Sequence, residues 1–553
     1  MSVRLARGFV AALALATFAP QTALAAPAPA AVASAKKPDP RAWPTAYEPV
    51  TMTVKELLAE VKRARGSVGE AKKTLRSVST FRDGGMTGTT REVWSGDDYR
   101  TDTTLGPFVT AEGRNGGQQW ETNENGYTLL KRGIHKRADA NERELESENP
   151  GESVQLLGRL RQPADVYVVR VSPADGRDER RFFDAKTYLL ARRETSYLGH
   201  LVVTTYEDYR TVQGAVVAFK HTVSDGHPEN DYVETMTQLQ VGVPVADGEV
   251  AIPGSRRLPV KLPDGVDSVR LPARIDPYGH IIVRVSVNGR GLDFQLDSGA
   301  SGIVLDRDVA RELNLTTSGR WSNTVAGTFV STHAIVPSAK VGPITMTDLV
   351  VEALPFQEQN DWNTRIVGLL GFDFIAGAVL KIDYVHGTVD AIPSEKFTPP
   401  ENGVVLDAIL DDNVPMITMK MNDALGNHFI LDTGADIVVA FSGFAKRYPE
   451  AVDDHSEHKI VSRILNVVGV QGVGGKLSMH GTVLKSMQLG NVHYKDYLAL
   501  VLLSDQEEFE GEDADGLAGV PLLRSFDVYL DYANSRVVLV PNKFTKKITS
   551  DTP

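Results

Sequence analysis

The feature that most constrains this chain is an internal duplication in its second half. LLGFDFIAGAVLKIDYVHGTVDAIP (369–393) aligns without a gap on LAGVPLLRSFDVYLDYANSRVVLVP (517–541), at a constant offset of 148 residues. Leu369, Gly371, Asp383, Tyr384, Val389 and Pro393 meet Leu517, Gly519, Asp531, Tyr532, Val537 and Pro541. Upstream, DFQLDSGASGIVL (293–305) aligns on HFILDTGADIVVA (428–440) at an offset of 135, so the second copy carries thirteen more residues between its landmarks. Two homologous β-rich lobes are predicted, 266–396 and 397–545.

Each copy holds one Asp-[Ser/Thr]-Gly-Ala tetrad directly after an apolar strand: Asp297-Ser298-Gly299-Ala300 after Phe294-Gln295-Leu296, and Asp432-Thr433-Gly434-Ala435 after Phe429-Ile430-Leu431. An aspartate at a strand end, followed by glycine in a tight turn, projects its carboxyl into a shared cleft. Gly299 and Gly434 lack the side chain that would keep two such turns apart. The hydroxyls of Ser298 and Thr433 can tie the loops together. Two carboxyls about 3 Å apart cannot both ionise, so they hold one proton between them. One is then a base that activates water, and the other an acid that protonates a carbonyl oxygen. Such chemistry requires no metal, cofactor or side-chain nucleophile.

The rest of the chain sets the context. Residues 1–26 have Arg4 and Arg7, an apolar run over 9–18 and Ala23-Leu24-Ala25, the pattern of a secretory signal peptide. The apolar run is too short to span a membrane, and no other stretch approaches that length. A periplasmic or secreted protein is expected. Residues 27–47, rich in Ala and Pro, read as a flexible leader. From 48 to 254 the chain offers one amphipathic helix, VKELLAEVKRARG, with Val54, Leu57, Leu58 and Val61 on one face. Short alternating strands follow, separated by turns such as Asp83-Gly84, Asp175-Gly176 and Asp225-Gly226. A Pro-rich joint, 252–265, precedes the lobes.

Composition removes several function classes. The chain has no cysteine, which excludes disulfide scaffolds, thiol nucleophiles and cysteine-ligated zinc. Its net charge of −12 opposes binding to nucleic-acid phosphates. VQGVGGKLS has the wrong spacing for a phosphate loop, and Leu477 stands where Ser or Thr is needed. EGEDADGLAGV (510–520) lacks the first ligand and closing Glu of a calcium loop. His455 and His458 read as part of an acidic surface loop rather than a zinc site. No Gly-x-Ser-x-Gly or His-Glu-x-x-His motif occurs.

These residues carry two resemblances. The front block, through FDAKTYLLARRETSYLGHLVVTTYEDYRTVQG and the Val-Ala-Ile-Pro close at 250–253, resembles the periplasmic lipoprotein-carrier half-barrels. That likeness implies an apolar ligand or an interaction role for this block, and brings no catalytic motif. The second half, 271–541, resembles the retropepsin/pepsin-type aspartic proteases, specifically bacterial single-chain forms with two retropepsin-like lobes. The resemblance implies a mainly β protein. Two closed β-barrel lobes would be related by a pseudo-twofold axis and preceded by an α+β antiparallel half-barrel.

The protease resemblance further implies that Asp297 and Asp432 are catalytic, with Leu369-Leu370-Gly371 and Leu517-Ala518-Gly519 supporting their loops. It also implies a glycine-rich flap, for which VVGVQGVGGKLS (467–478), with Gly472, Gly474 and Gly475, is the candidate. The first-lobe segment 323–336 has only Gly327, so one working flap is expected. The functional expectation is an exported aspartic endopeptidase acting on a polypeptide, its active site complete in one chain. The alternative is a non-catalytic periplasmic binding or carrier protein for a lipid or other hydrophobic ligand.

Overall fold

The computed structural model describes residues 39–66, 74–132, 137–147, 149–173, 178–197, 200–255, 258–324, 328–356, 365–410, 413–455, 466–472, 475–502 and 514–545. The predicted signal peptide, the Asp175-Gly176 turn, His458 and Gly474 lie outside them. The described residues form two compact units. The first takes in those of Lys36–Arg257 with Ser318–Ser322, the second those of Leu258–Thr317 and Asn323–Pro553.

The first unit is one 13-stranded antiparallel sheet. Its strands run as a meander from Thr74–Asp83 out to an edge at Thr128–Lys131. The chain then restarts at the other edge, Val154–Leu160, and meanders back until Tyr232–Val241 pairs with Thr74–Asp83. The two edges stay apart, so the sheet is a half-barrel rather than a closed one. Gly84 and Gly85 both take positive φ (54° and 74°), the geometry of a two-residue hairpin that suits the sheet's right-handed twist. Helix Val54–Arg65 starts at a Thr53–Glu56 capping box and buries Leu57 and Val61 against Val169, Val171 and Phe183.

The flexible-leader expectation fails over 39–47. Arg41 donates to the carbonyls of Leu201, Ser224 and Asp225 at 2.8–3.0 Å. Trp43 packs edge-on against Phe182, and Glu48 pairs with Arg159. Three anchoring side chains, Arg41, Trp43 and Tyr47, whose hydroxyl accepts from Arg180 at 2.8 Å, outweigh the Ala/Pro composition of the stretch around them. Ser318–Ser322 is also part of this unit: Ser322 exchanges two hydrogen bonds with the Asn230 side chain, and the Trp321 indole N–H donates to Asp83 at 3.0 Å.

The second unit contains the duplication as two matching barrels. In the first, a ring closes through Ile344–Leu354, Ile303–Asp306, Ile366–Leu370, Arg290–Leu296, Ile281–Val287 and Thr328–Val341. In the second, the ring runs through Met416–Met421, Ala424–Leu431, Gly516–Ala518, Val438–Ala440, Val492–Leu502 and Gly475–Leu489. A six-stranded sheet joins the lobes by pairing Val379–Asp383 with Phe526–Asp531. Lys381 stands opposite Tyr529, its own equivalent in the duplication, with Leu380 opposite Leu530 and Ile382 opposite Val528. A pseudo-twofold axis therefore passes through the Lys381–Tyr529 pair. The unit begins earlier than the predicted 266, because Val260–Lys261 pairs with Met346 and Thr345, and Val260 is buried beside Gly377.

Candidate active site

Both tetrads sit on the same local scaffold. Arg290–Leu296 runs parallel to Ile366–Leu370, and the amide of Asp297 donates to Leu370 O at 3.1 Å. Ala424–Leu431 runs parallel to Gly516–Ala518, and the amide of Asp432 donates to Ala518 O at 3.0 Å. Gly371 and Gly519 let these supporting strands approach. A Cβ at Gly371 would lie 2.2 Å from Gly302 O, and one at Gly519 would lie 2.1 Å from Ile437 O. Just beyond, the amides of Phe372 and Val520 donate to Ala300 O and Ala435 O. Each loop is thus fixed by backbone bonds before any side chain contributes.

Ser298 and Thr433 lock the loops to each other. Ser298 Oγ donates to Leu431 O (2.7 Å) and accepts the Thr433 amide (3.0 Å). Thr433 Oγ1 donates to Leu296 O (3.1 Å) and accepts the Ser298 amide (3.0 Å). All four bonds are buried. Gln295 adds a cross-lobe bond to Gly434 O at 3.2 Å.

The lock brings Asp297 and Asp432 together. Oδ1 of each accepts the amide of the glycine two residues on, Gly299 at 2.8 Å and Gly434 at 2.7 Å. The two carboxyls lie close enough to act on each other's proton, and neither Oδ2 has a hydrogen-bond partner. Both side chains are 0% exposed, so water screens neither charge. Burial raises both affinities for a proton. For Asp297 the neighbouring Asp432 charge raises it further, well above the ordinary carboxylate range. For Asp432 the Gly434 amide, the neighbouring Asp297 carboxyl and the charge of His280 oppose that rise by favouring its anion. At neutral pH the pair keeps one proton.

The glycines between them are a geometric requirement. A methyl group at Gly434 would stand 2.6 Å from Asp297 Oδ2, and one at Gly299 would stand 2.6 Å from Asp432 Oδ2. Gly434→Ala is therefore expected to drive the carboxyls apart and to lower any rate that depends on the pair about 100-fold, the usual cost of an ångström of misalignment. Wild-type rates in that variant contradict the geometry.

The predicted flap is a hairpin. Asn466–Gly472 pairs with Gly475–Leu489, and Gly472 stands opposite Gly475. The first lobe also pairs two strands there, Thr316–Thr324 and Thr328–Val341. Glycine count therefore did not decide whether a hairpin forms. The tyrosines of the duplicated Asp-Tyr pair acquire a place the sequence left without a role. Tyr532 is stacked on Phe372 at 5.7 Å, and its buried hydroxyl is held neutral by burial and by both aspartates. Tyr384 is likewise raised by burial and by Asp432. His280 and Asp436, a close cross-lobe pair, had no repeat to announce them. Among the described residues no group of three or more His, Asp or Glu could hold a metal ion.

The second unit is thus a pair of barrels that each present one aspartate to a shared site. Residues 283–374, which include Asp297 and Gly371, match the family model described as aspartyl protease. The chain is similar to an aspartic proteinase from Irpex lacteus (15% identity, 50% of this chain and 98% of that one, TM-score 0.31). It is also similar to basic 7S globulin from soybean (11% identity, 50% and 97%, TM-score 0.31). A LolA superfamily protein from Nitrosomonas europaea is similar over 36% of this chain and 98% of its own, at 12% identity and TM-score 0.27. No curated protein matches the sequence.

Proposed function

We propose that this protein is an exported aspartic endopeptidase that hydrolyses peptide bonds with a water molecule activated between Asp297 and Asp432. The observation that carries this reading is the reciprocal placement of the two carboxyls: both fully buried, and each against the other loop's glycine, where a Cβ would stand 2.6 Å from its Oδ2. A monoprotonated pair supplies both a base for the water and an acid for the scissile carbonyl, so one site serves both proton transfers. The hairpin ending in Gly472 and Gly475 is the flap that covers an extended polypeptide. Both aspartates come from one chain, so the site needs no second copy. Export rests on the signal-peptide pattern of residues 1–26.

The test is cleavage of a mixed peptide library by purified wild type, Asp297→Asn and Asp432→Asn. New termini in the wild type that vanish in either variant support the reading; identical products in all three end it. A second, compatible role, carriage of an apolar ligand, belongs to the first unit, an open sheet in which Phe81, Val202, Val223 and Tyr232 form one buried apolar cluster. The nearby bonds Ser77–Glu92 and Tyr232–Glu234 give that sheet a polar stretch as well. Lipid co-purifying with the protein is the result this role predicts, and its absence from delipidation extracts counts against it.

A further inference from the structure

The two lobes are clamped beside the dyad by contacts of unlike chemistry. On one side the Asn413 side-chain amide donates to Ser301 O at 3.2 Å, a neutral contact. On the other, His280 stands between two carboxylates. Its Nδ1 is 3.0 Å from Asp276 Oδ2, while Asp276 Oδ1 accepts the amides of Tyr278, Gly279 and His280 itself at 2.8–2.9 Å. Its Nε2 is 2.6 Å from Asp436 Oδ1, an ion contact rather than an aligned hydrogen bond. Ser301 and Asp436 are equivalent positions in the duplication, so only the second lobe carries a carboxylate there.

A ring with a carboxylate at each nitrogen holds both protons, and His280 is a buried cation. Burial opposes the charge, but the contacts with Asp276 and Asp436 win and push its pKa up to about 10. Asp436 is four residues beyond Asp432 in the same loop, and the His280 charge reaches Asp432. The other titratable groups acting on the dyad are the neutral Tyr384, whose proton is held by burial and by Asp432, and the neutral Tyr532, which feels both aspartates.

We propose that His280 is the positioning residue that breaks the pseudo-twofold symmetry of the dyad, holding the shared proton on Asp297 and leaving Asp432 as the anionic base. Its catalytic meaning rests on the peptidase reading above. In that reaction Asp432 takes a proton from water as its oxygen bonds to the scissile carbon, and Asp297 gives its proton to the carbonyl oxygen. The resulting diol collapses with C–N cleavage as Asp432 returns the proton to the departing nitrogen and the Asp297 carboxylate takes one back from a diol hydroxyl. The peptide and one water are thereby converted to an acid and an amine.

The test does not depend on cleavage. Carboxyl resonances of protein labelled with ¹³C-aspartate are followed from acid to neutral pH, with the dyad signals assigned by their loss in Asp297→Asn and Asp432→Asn. In wild type, Asp432 ionises first. His280→Gln raises that transition by about one pH unit, the effect of removing one charge several ångströms away. His280→Lys restores it. Asn413→Gly, which removes the neutral clamp at a residue with φ 62°, leaves it in place. Asp297 ionising first in the wild type overturns the proposal without any variant. So does an unmoved transition in folded His280→Gln, or an equal shift in Asn413→Gly. A wild type that cleaves no peptide but titrates as stated removes the peptidase reading alone.

Discussion

Asp432→Asn and Asp297→Asn are each expected to reduce kcat/KM for peptide hydrolysis by on the order of 10²–10⁴-fold or more, because each removes one of two coupled proton transfers. An amide in place of Asp432 cannot take a proton from water, and one in place of Asp297 cannot give a proton to a carbonyl oxygen. The fold should survive, since the Gly299 and Gly434 amides can still donate to an amide oxygen. Stability should respond with a definite sign. Both carboxyls bind protons more tightly folded than unfolded. Their contribution to stability is therefore fully present below the unfolded carboxyl pKa of about 4, and is lost as pH rises through the raised folded values. A variant with one carboxyl lacks the mutual repulsion. Calorimetry should find Asp297→Asn gaining a few degrees in Tm over wild type between about pH 4 and pH 7. A Tm difference constant with pH contradicts the shared-proton arrangement.

The second large effect concerns the lock between the loops. Thr433→Val removes a hydroxyl that both donates to Leu296 O and accepts the Ser298 amide. Two buried backbone groups are left without partners, at about 1–3 kcal/mol each. Chemical denaturation should record a loss of about 2–6 kcal/mol, and activity should fall because the carboxyls lose their alignment. Ser298→Ala should behave alike, since it breaks the related bonds to Leu431 O and the Thr433 amide. Combining the two should cost less than their sum, because the residues share one buried network. Thr433→Ser keeps the hydroxyl and should stay near wild type. A fully stable, active Thr433→Val protein removes the lock from the account.

The parts of the site legible in the sequence are those the duplication writes twice. Asp297 and Asp432, Ser298 and Thr433, and Gly371 and Gly519 each act through short-range geometry that a local motif encodes. The pseudo-twofold axis at Lys381 and Tyr529 follows from the same alignment. What escaped is asymmetric or long-range. The His280–Asp436 contact joins distant positions, and one of them is Ser301 in the other copy, so comparing the lobes hides it. Arg41 and Trp43 lie in a stretch whose bulk composition signals a leader, yet three carbonyls and one phenyl ring hold it in place. Val260 was hidden by the prolines around it, although its burial brings that segment into the first lobe's sheet. Thr316–Thr324 and Thr328–Val341 are neighbours in the sheet although the segment lacks the glycines of its second-lobe counterpart.

The measurement that bears most directly on the central claim is kcat/KM for one cleaved peptide, taken from about pH 3 to pH 8 in wild type and in both aspartate variants. Wild type should give a bell-shaped profile, with one limb for each proton equilibrium of the dyad, and either variant a value at least about 100-fold lower across the range. Turnover in Asp297→Asn or Asp432→Asn above about one hundredth of the wild-type value at any pH contradicts it.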